Sequence, residues 1–170
     1  WRAGGIMLQH MPAVGGVDSA PLPCSFYLRP TLAVARDLLG RTLVRMLDGQ
    51  RLAGRISEVE AYVGESDLAS HAAHGITARN RAMYGPGGLA YVYLIYGMYH
   101  CLNVVTEDEG YPAAVLIRAI QPLEGVAAMQ TQRGRPHLRG LADGPGKLCQ
   151  ALAIDRRLDS HDLTTGVELW

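Results

Sequence analysis

Lysine is nearly absent from this sequence of 170 residues, in which Lys147 is the only lysine among 16 basic residues. The other basic residues are arginines, whose planar guanidinium group forms paired hydrogen bonds with phosphates. An excess of charge is also missing, because 16 acidic residues balance the basic ones and the formal net charge is zero. A neutral chain does not by itself favour a polyanionic partner, but binding depends on where the charges lie.

Cysteine is scarce, with three residues that lie far apart in the sequence: Cys24, Cys101 and Cys149. An odd number at this spacing does not fit a disulfide framework and matches no zinc-binding motif. We therefore expect a reducing compartment, the cytoplasm.

Long hydrophobic runs are missing as well, since the most apolar stretch, residues 89–105, is interrupted by Gly97, His100 and Asn103. We expect no membrane-spanning segment. Residues 1–24 do not resemble a secretory signal, and their scattered glycines and prolines predict a flexible tail. With 48% hydrophobic and 19% charged residues the chain is not of the disordered class, and we expect one domain over residues 25–170.

Apolar runs and turn residues predict both strands and helices along the chain. Asp48-Gly49 is a strong hairpin dipeptide between two strand-like runs, and Tyr96-Gly97 interrupts a longer run of aromatic and β-branched residues. Hairpins flanked by helices predict an α+β domain with a mostly antiparallel sheet. Helices are predicted over residues 30–39, 123–132 and 147–154, strands over 42–47, 51–62 and 113–120, a hairpin over 89–105 and a loop over 63–88.

Two glutamates in the run SEVEAY, Glu58 and Glu60, lie two positions apart in a predicted strand. Residues at this spacing share a face of the strand, so both carboxylates and Tyr62 point the same way. A carboxylate at the end of a strand, next to an aromatic ring and a glycine loop, is a candidate general base that takes a proton from water. The alternative is an ordinary solvated strand face.

His71 and His74 lie three residues apart and are candidate metal ligands. Zinc requires three or four ligands, and neither a cysteine nor a third histidine lies at a supporting spacing. We therefore predict no metal site and expect His71 to be partly buried or to line a pocket. The alternative is a metal-dependent hydrolase, which a chelator would inactivate.

Tyrosine is abundant while phenylalanine is almost missing, and five of the eight tyrosines fall between Tyr84 and Tyr99. Tyr91 and Tyr93 share one strand face, whereas Tyr96 lies at the predicted hairpin tip. A large ring at a turn has little core to fill, so its exposure indicates a function such as insertion into a base stack. The alternative is a tyrosine that folds back onto its own sheet.

Charge is distributed unevenly despite the neutral total. Residues 55–68 contain one arginine against four acidic residues, whereas residues 69–106 contain two arginines and no acidic residue. Residues 110–139 contain four arginines against one glutamate. The aromatic loops thus lie in basic surroundings, an arrangement typical of stacking rings combined with phosphate contacts. Two ordinary solvated patches are the alternative.

Four blocks of the sequence stand out together: ISEVEAYVGESDLASH, RNRAMYGPGGLAYVYLIYGMYHCLNVV, AAVLIRAIQPLEG and GPGKLCQALAI. In order and spacing they resemble the successive signatures of the 3-methyladenine (alkyladenine) DNA glycosylase family, and the resemblance extends from Ser25 to the end of the chain. It implies a monofunctional enzyme of base excision repair that flips a damaged purine out of duplex DNA and hydrolyses its N-glycosidic bond. The implied fold has a curved sheet and a protruding, DNA-intercalating β-hairpin.

The resemblance also implies roles for single residues. Glu60 is similar to the family's general base, which activates a water for attack on C1′, and Arg118 is similar to the arginine that helps to hold this water. Tyr62, His71 and Tyr93 resemble the aromatic walls of the base pocket.

Further resemblances concern the pocket floor and the DNA contacts. Asn103 resembles the floor residue that disfavours guanine by crowding its exocyclic amine. Tyr96 resembles the residue that enters the minor groove and fills the vacated space, with Met98 and Tyr99 in support. Contacts with the DNA backbone are predicted for Arg79, Arg81 and Lys147.

The implied substrates are alkylated or deaminated purines, a class that includes 3-methyladenine, 7-methylguanine, hypoxanthine and ethenoadenine. The implied partner is double-stranded DNA with a damaged purine, and we expect a monomer without a cofactor or a protein partner. The DNA substrate implies a cytoplasmic protein associated with the nucleoid in a prokaryote, or a nuclear protein in a eukaryote. Since Lys147 belongs to a predicted helix start, we expect no Schiff base and no strand cleavage. A catalytically silent protein that binds lesions with the same pocket is the alternative.

Two departures from the family pattern are visible. Family members usually continue beyond the position of Trp170, so the resemblance implies that a C-terminal segment of the family is missing from this sequence. The acidic triplet Glu107-Asp108-Glu109 would repel a DNA backbone, and we expect it to point away from DNA.

Overall fold

Antiparallel strands form a single sheet in the computed structural model, which describes residues 6–9 and 20–170. The strands are β1 (Ile6–Gln9), β2 (Thr42–Leu47), β3 (Gln50–Val63), β4 (Ala90–Ile95), β5 (Tyr99–Val105) and β6 (Ala113–Glu124). Their order in the sheet is β1-β3-β6-β5-β4. Strand β2 pairs with the first half of β3 and β1 with the second half, while β6 occupies the opposite edge of β3.

Helices pack against one face of this sheet and enclose the main hydrophobic core with it. The α-helices are α1 (Cys24–Tyr27), α2 (Thr31–Leu38), α3 (Val126–Arg133) and α4 (Pro145–Ala151), and short 3₁₀ helices span His71–His74, Arg81–Tyr84 and Arg156–Leu158. Buried side chains from the helices, such as Val34 and Leu148, meet buried strand residues such as Leu102 and Ile117. The predicted α+β class with an antiparallel sheet is confirmed.

The opposite face of the sheet has a second, smaller cluster of buried side chains. Because side chains alternate along β3, Val59 and Ala61 point into the main core, and Tyr62 packs against the second cluster. The 3₁₀ helix Arg81–Tyr84 covers part of this face with Ala82 and Met83. This second face of the sheet contains the candidate site.

Both predicted hairpins are confirmed. Strands β2 and β3 are joined through Asp48 and Gly49, which have φ values of +49° and +78°. These left-handed conformations are those that a two-residue hairpin turn requires. Strands β4 and β5 pair from Ala90 opposite Val104 to Ile95 opposite Tyr99, with the tip between the last pair.

The helix predicted over residues 123–132 begins later than expected. Strand β6 continues to Glu124, because its end still pairs with Ala53 and Gly54 of β3. Gly125, with φ +68°, then turns the chain into α3. Strand β6 thus extends beyond the apolar run of residues 113–120, because its pairing with β3 continues to Glu124.

The N-terminal part of the chain differs from the predicted tail in one respect. Residues 6–9 form β1, in which Met7 pairs opposite Glu60 and Gln9 opposite Glu58. Residues 1–5 and 10–19 lie outside the described residues. The division into a tail over residues 1–24 and a domain over residues 25–170 stays a prediction.

The acidic triplet contains a residue that caps a helix. Helix α2 begins after Pro30, which has no side chain that could accept a hydrogen bond from the first turn. Oε1 of Glu107 instead accepts hydrogen bonds from the backbone N–H of Thr31, at 2.9 Å, and from its hydroxyl. Glu107 is therefore turned toward the start of α2, whereas Asp108 and Glu109 are exposed.

Replacing Glu107 with alanine is expected to lower the free energy of unfolding by about 1–2 kcal/mol, because the buried N–H and hydroxyl of Thr31 lose their acceptor. Urea denaturation followed by circular dichroism measures the change. Glu109→Ala is the control, since it removes an exposed neighbouring carboxylate and should change the free energy by less than about 0.5 kcal/mol. Equal stability of the two variants would contradict the capping role.

Candidate active site

Three side chains of β3 lie together on the second face: Glu58, Glu60 and Tyr62. The Tyr62 hydroxyl donates a hydrogen bond of 2.9 Å to Oε1 of Glu60. From the neighbouring strand β6, Nη1 of Arg118 donates to Oε2 of Glu60 at 2.7 Å, and its Nε donates to Oε1 of Glu58 at 2.8 Å. The shared face is confirmed, and an ordinary solvated face is excluded because the Glu60 side chain is only 13% exposed.

A local irregularity of strand pairing allows one arginine to reach both carboxylates. Strand β3 pairs Glu60 with Leu116 of β6 but Glu58 with Ala119, so the register shifts between the two pairs. A bulge of this kind bends the strand and re-aims its side chains. The guanidinium of Arg118 consequently lies within hydrogen-bonding distance of Glu58 as well as Glu60.

The surroundings of Arg118 and Tyr62 favour the protonated form of both side chains. Partial burial acts to lower the pKa of Arg118, but its contacts with Glu58 and Glu60 together outweigh burial and hold the pKa above the ordinary value. Burial, together with the adjacent carboxylate of Glu60, raises the pKa of Tyr62 well above its ordinary value. At neutral pH Arg118 is therefore charged, and the Tyr62 hydroxyl retains its proton and donates it to a hydrogen bond.

An aromatic pocket lies beside this cluster and encloses about 250 Å³, including space open to solvent. Tyr62 belongs to both features, since its hydroxyl contacts Glu60 and its side chain lines the pocket. The lining residues are Tyr62, Ala69, His71, Met83, Tyr91, Tyr93 and Asn103.

The rings of the pocket contact each other. The ring centroids of His71 and Tyr93 lie 4.4 Å apart at an interplanar angle of 74°, and Nδ1 of His71 lies 2.8 Å from the hydroxyl of Tyr91. Burial raises the pKa of Tyr91 and of Tyr93. The prediction that His71 lines a pocket is confirmed. Tyr91 is a further pocket residue that was not predicted, although its shared strand face with Tyr93 is a usable signal.

Asn103 is the buried amide of the pocket, with 2% of the residue exposed. It faces Tyr91 in the register of the β4–β5 hairpin, and its Nδ2 donates a hydrogen bond of 3.1 Å to the Tyr91 carbonyl. This bond fixes the orientation of the amide. The structure thus gathers in one pocket the four residues predicted for it: Tyr62, His71, Tyr93 and Asn103.

The loop that contains His71 is held by Asn80, a residue that the sequence analysis missed. Its Nδ2 donates to the carbonyl oxygens of His71 and Gly75, both at 2.9 Å. Its Oδ1 accepts from the backbone N–H and the hydroxyl of Thr77. Asn80 is 1% exposed, but an asparagine in a polar loop gives no sequence signal that would predict such burial.

The two histidines separate in the structure. Both are exposed to solvent, but His74 is not a lining residue of the pocket, while His71 lines it and its ring contacts Tyr91 and Tyr93. Within residues 6–9 and 20–170, no three or more His, Cys, Asp or Glu side chains gather as a set of metal ligands. The described residues therefore offer no set of ligands for the metal ion that a metal-dependent hydrolase requires.

The tip of the β4–β5 hairpin is exposed. Tyr96 is 83% exposed and has φ +54°, a left-handed conformation that is rare for a bulky residue. The alternative in which Tyr96 folds back onto its own sheet is therefore wrong. Met98 is 63% exposed, whereas Tyr99 packs against the start of α4, where a Cβ on Gly146 would lie 3.0 Å from that of Tyr99. The hairpin thus has an exposed aromatic residue at its tip, and Tyr99, next to the tip, contacts α4.

Comparison with known proteins places this geometry in a family. The sequence model of the methylpurine-DNA glycosylase (MPG) family matches residues 25–170. The chain belongs to this family.

Three curated relatives, each named "Putative 3-methyladenine DNA glycosylase", are similar to this member of the family. The protein of Methanocella arvoryzae is 60% identical over 151 residues, which cover 88% of this chain and 75% of the relative. The protein of Myxococcus xanthus is 55% identical over 146 residues, covering 86% of this chain and 70% of the relative. The protein of Alkaliphilus oremlandii is 49% identical over 154 residues, which cover 85% of this chain and 76% of the relative.

As a methylpurine-DNA glycosylase, the protein is a DNA-binding hydrolase of N-glycosyl bonds that acts in DNA repair. The resemblance inferred from the four sequence blocks is confirmed. None of the helices in the described part of the chain has the length and apolarity needed to cross a bilayer.

The three basic residues predicted to contact DNA differ in their surroundings in this glycosylase. Arg79 stacks over Tyr93 at 5.2 Å from the ring centroid and donates to the Leu94 carbonyl, so it lies at the rim of the pocket. Arg81 is exposed. Lys147 forms an exposed ion pair with Asp143 at 2.7 Å, a contact weak enough to be exchanged for a phosphate.

Proposed function

We propose that this DNA glycosylase excises alkylated or deaminated purines from duplex DNA, a class that includes 3-methyladenine, 7-methylguanine, hypoxanthine and ethenoadenine. The observation that carries the proposal is the double contact of Tyr62, which lines the aromatic pocket and donates a hydrogen bond to Glu60. A base seated against Tyr62 has its glycosidic bond beside a carboxylate. The names of the curated relatives support the 3-methyladenine part of this class.

Glu60 is the general base in the proposed mechanism. Its carboxylate takes a proton from a water, the water oxygen bonds to C1′ of the deoxyribose, and the electrons of the C1′–N bond leave with the base. Arg118 and Tyr62 each donate to one oxygen of Glu60, and each oxygen keeps a further lone pair for the water. A positively charged purine is already a good leaving group, so one carboxylate suffices.

The pocket selects the base by its charge and shape. Tyr62, His71 and Tyr93 form the walls, and the face of a tyrosine ring attracts a cation by about 0.5–2 kcal/mol. Positively charged alkylated purines are therefore favoured. Asn103, fixed by the carbonyl of Tyr91, crowds the exocyclic amine of normal guanine at the floor.

Extrusion of the base is assigned to the exposed hairpin tip. Tyr96 enters the minor groove and fills the space that the flipped base leaves, supported by Met98 and Tyr99. Flipping costs a few kcal/mol, and least for a badly paired base, so extrusion itself favours lesions. Phosphate contacts are assigned to Arg79, Arg81 and Lys147.

The remaining parts of the proposal concern the form in which the enzyme acts. It works as a monomer on double-stranded DNA, without a cofactor and without a protein partner, in the cytoplasm of a prokaryote or in the nucleus of a eukaryote. Lys147, the one lysine of the sequence, lies outside the pocket lining, so no lysine is placed to form a Schiff base and the sugar-phosphate strand stays intact.

A panel of duplexes tests the function. Each duplex holds one 7-methylguanine, hypoxanthine or ethenoadenine, or an undamaged purine, and methylated duplex DNA supplies 3-methyladenine. We expect release of free base from lesion duplexes, no release from undamaged DNA, no strand cleavage and no effect of a chelator. Tight binding of lesion duplexes without any release would establish the silent binding protein instead.

The pocket also predicts a pH dependence through His71. Burial, and next the positive charge of Arg79, lower the pKa of His71 below its ordinary value of 6.5, so the ring is neutral at pH 7. Its protonation at more acidic pH places a positive charge beside the bound base. Affinity for a duplex with a cationic 7-methylguanine should therefore fall as the pH drops below 6.5.

Fluorescence anisotropy in a Glu60→Gln background, in which release of the base is expected to be slow, measures this affinity between about pH 5 and 8. His71→Phe keeps a ring at this position but removes the titrating group, and should lose the acid-side fall. A duplex with neutral hypoxanthine should show a smaller fall with the histidine present. The same acid-side fall with histidine and with phenylalanine would exclude His71 as its origin.

A further inference from the structure

The guanidinium of Arg118 is shared between two carboxylates, of which only Glu60 has a role in the proposed mechanism. Nε donates to Oε1 of Glu58 at 2.8 Å, and Nη1 donates to Oε2 of Glu60 at 2.7 Å. The side chain of Glu58 is 23% exposed. Because desolvation of a second carboxylate costs free energy, the presence of Glu58 needs an explanation.

Attraction between strands does not explain a second carboxylate. Arg51 of β3 and Glu124 of β6 form an ion pair between the same two strands, with one arginine and one carboxylate. Such a pair supplies cross-strand attraction without a third group. The cluster at Arg118 has an additional carboxylate, Glu58, and this cluster is the one that adjoins the pocket.

Hydrogen-bond geometry indicates what the second carboxylate does. An arginine with a single carboxylate partner commonly forms a paired contact, in which two N–H groups bind both oxygens of that carboxylate. Arg118 makes no such contact with Glu60, because its Nε is directed to Glu58. Glu60 thus receives one hydrogen bond from Arg118 and one, on its other oxygen, from Tyr62.

We propose that Glu58 is a positioning residue for catalysis. By holding Nε of Arg118, it prevents the guanidinium from forming a paired contact with Glu60, so that both oxygens of Glu60, and not one alone, keep a lone pair with which to bind and deprotonate the attacking water. This inference rests on the proposed function, since it explains how the base of that mechanism stays competent.

A double-mutant cycle on single-turnover base release tests this role. The substrate is a duplex with one 7-methylguanine, and its affinity is measured separately. Glu124→Ala is the matched control, since it removes one carboxylate from an ion pair between the same strands outside the pocket lining. Thermal unfolding checks each fold. The variants are Glu58→Ala, Glu58→Gln, Arg118→Ala and the double variant of Glu58→Ala with Arg118→Ala.

Glu58→Ala is expected to lower the single-turnover rate about 10- to 50-fold, while affinity for the duplex stays within about twofold of the wild type. Glu58→Gln keeps an acceptor for Nε of Arg118, so its rate should lie between those of the wild type and the alanine variant. In the Arg118→Ala background, Glu58→Ala should change the rate by less than about twofold, because its effect passes through the arginine. Glu124→Ala should react like the wild type.

Equal rates for the wild type and Glu58→Ala would overturn the inference. Losses that multiply in the double variant would also overturn it, since they indicate an effect of Glu58 that does not pass through Arg118. A glutamine variant as slow as the alanine variant would exclude the role as an acceptor. A wild type that releases no base contradicts the proposed function itself, whereas wild-type release with unchanged Glu58→Ala contradicts the inference alone.

Discussion

Replacing Glu60 with glutamine is expected to slow base release about 10²- to 10⁴-fold while the protein still binds lesion duplexes. The amide has nearly the same shape as the carboxylate, and its oxygen still accepts a hydrogen bond from Arg118 or Tyr62. It accepts no proton from water, so only the chemical step is affected. Single-turnover release from a duplex with 7-methylguanine, combined with a binding titration of the same duplex, separates the two effects.

The matched control for this prediction is Glu65→Gln. Glu65 is an exposed carboxylate that accepts a hydrogen bond from the hydroxyl of Tyr84 at 2.9 Å, as Glu60 does from Tyr62. The substitution changes charge and shape in the same way, outside the residues that line the pocket, and should leave the rate within about twofold of the wild type. If Glu60→Gln released the purine as fast as this control, the general base would have to be a group other than Glu60.

The parts of the fold that depend on local patterns were predictable from the sequence. Asp48-Gly49 and Tyr96-Gly97 interrupt strand-like runs, and the structure has a hairpin at each of them. The end of β6 was not predictable, because pairing with Ala53 and Gly54 extends it past its apolar run. The cap on α2 was not predictable either, since Glu107 lies 76 residues from Thr31.

In the candidate site, too, some features were predictable from local patterns and others depend on distant contacts. A period of two residues along β3 predicted that Glu58, Glu60 and Tyr62 share a face, and this required no knowledge of distant contacts. The sharing of Arg118 between two carboxylates depends on a register shift between β3 and β6, which no single-strand pattern reveals. The burial of Asn80 depends in turn on the path of a loop without periodicity. Local periodicity thus indicated the candidate catalytic groups, whereas their positioning arises from tertiary pairing.

The neutral net charge of the sequence does not exclude a DNA partner. Several acidic groups are engaged within the protein: Glu58 and Glu60 with Arg118, Glu107 with α2, and Glu124 with Arg51. Such groups count in the total but contribute less to the field outside the protein. With a modest basic excess near the aromatic loops, we expect recognition of a lesion to depend strongly on the pocket and on the hairpin tip.

Tyr96→Ser is expected to weaken binding of lesion duplexes about 10- to 100-fold and to slow base release with it, because stacking of a base on an aromatic ring contributes about 1–3 kcal/mol. The ring is 83% exposed, so its loss removes no core packing, and serine takes the same backbone conformation at comparable cost. Thermal unfolding should therefore change little. Anisotropy titrations with lesion and undamaged duplexes measure the effect.

Two controls make the Tyr96 prediction specific to the wedge role. Tyr96→Phe keeps the ring and should bind like the wild type, since stacking needs the aromatic face and not the hydroxyl. Tyr111→Ser removes another partly exposed tyrosine, outside the hairpin, and should leave lesion affinity unchanged. The loss in Tyr96→Ser should be larger for lesion duplexes than for undamaged DNA, because phosphate contacts by arginines dominate the latter. Equal losses for both duplexes would show that Tyr96 contributes a general surface contact, and no loss at all would exclude a wedge at the hairpin tip.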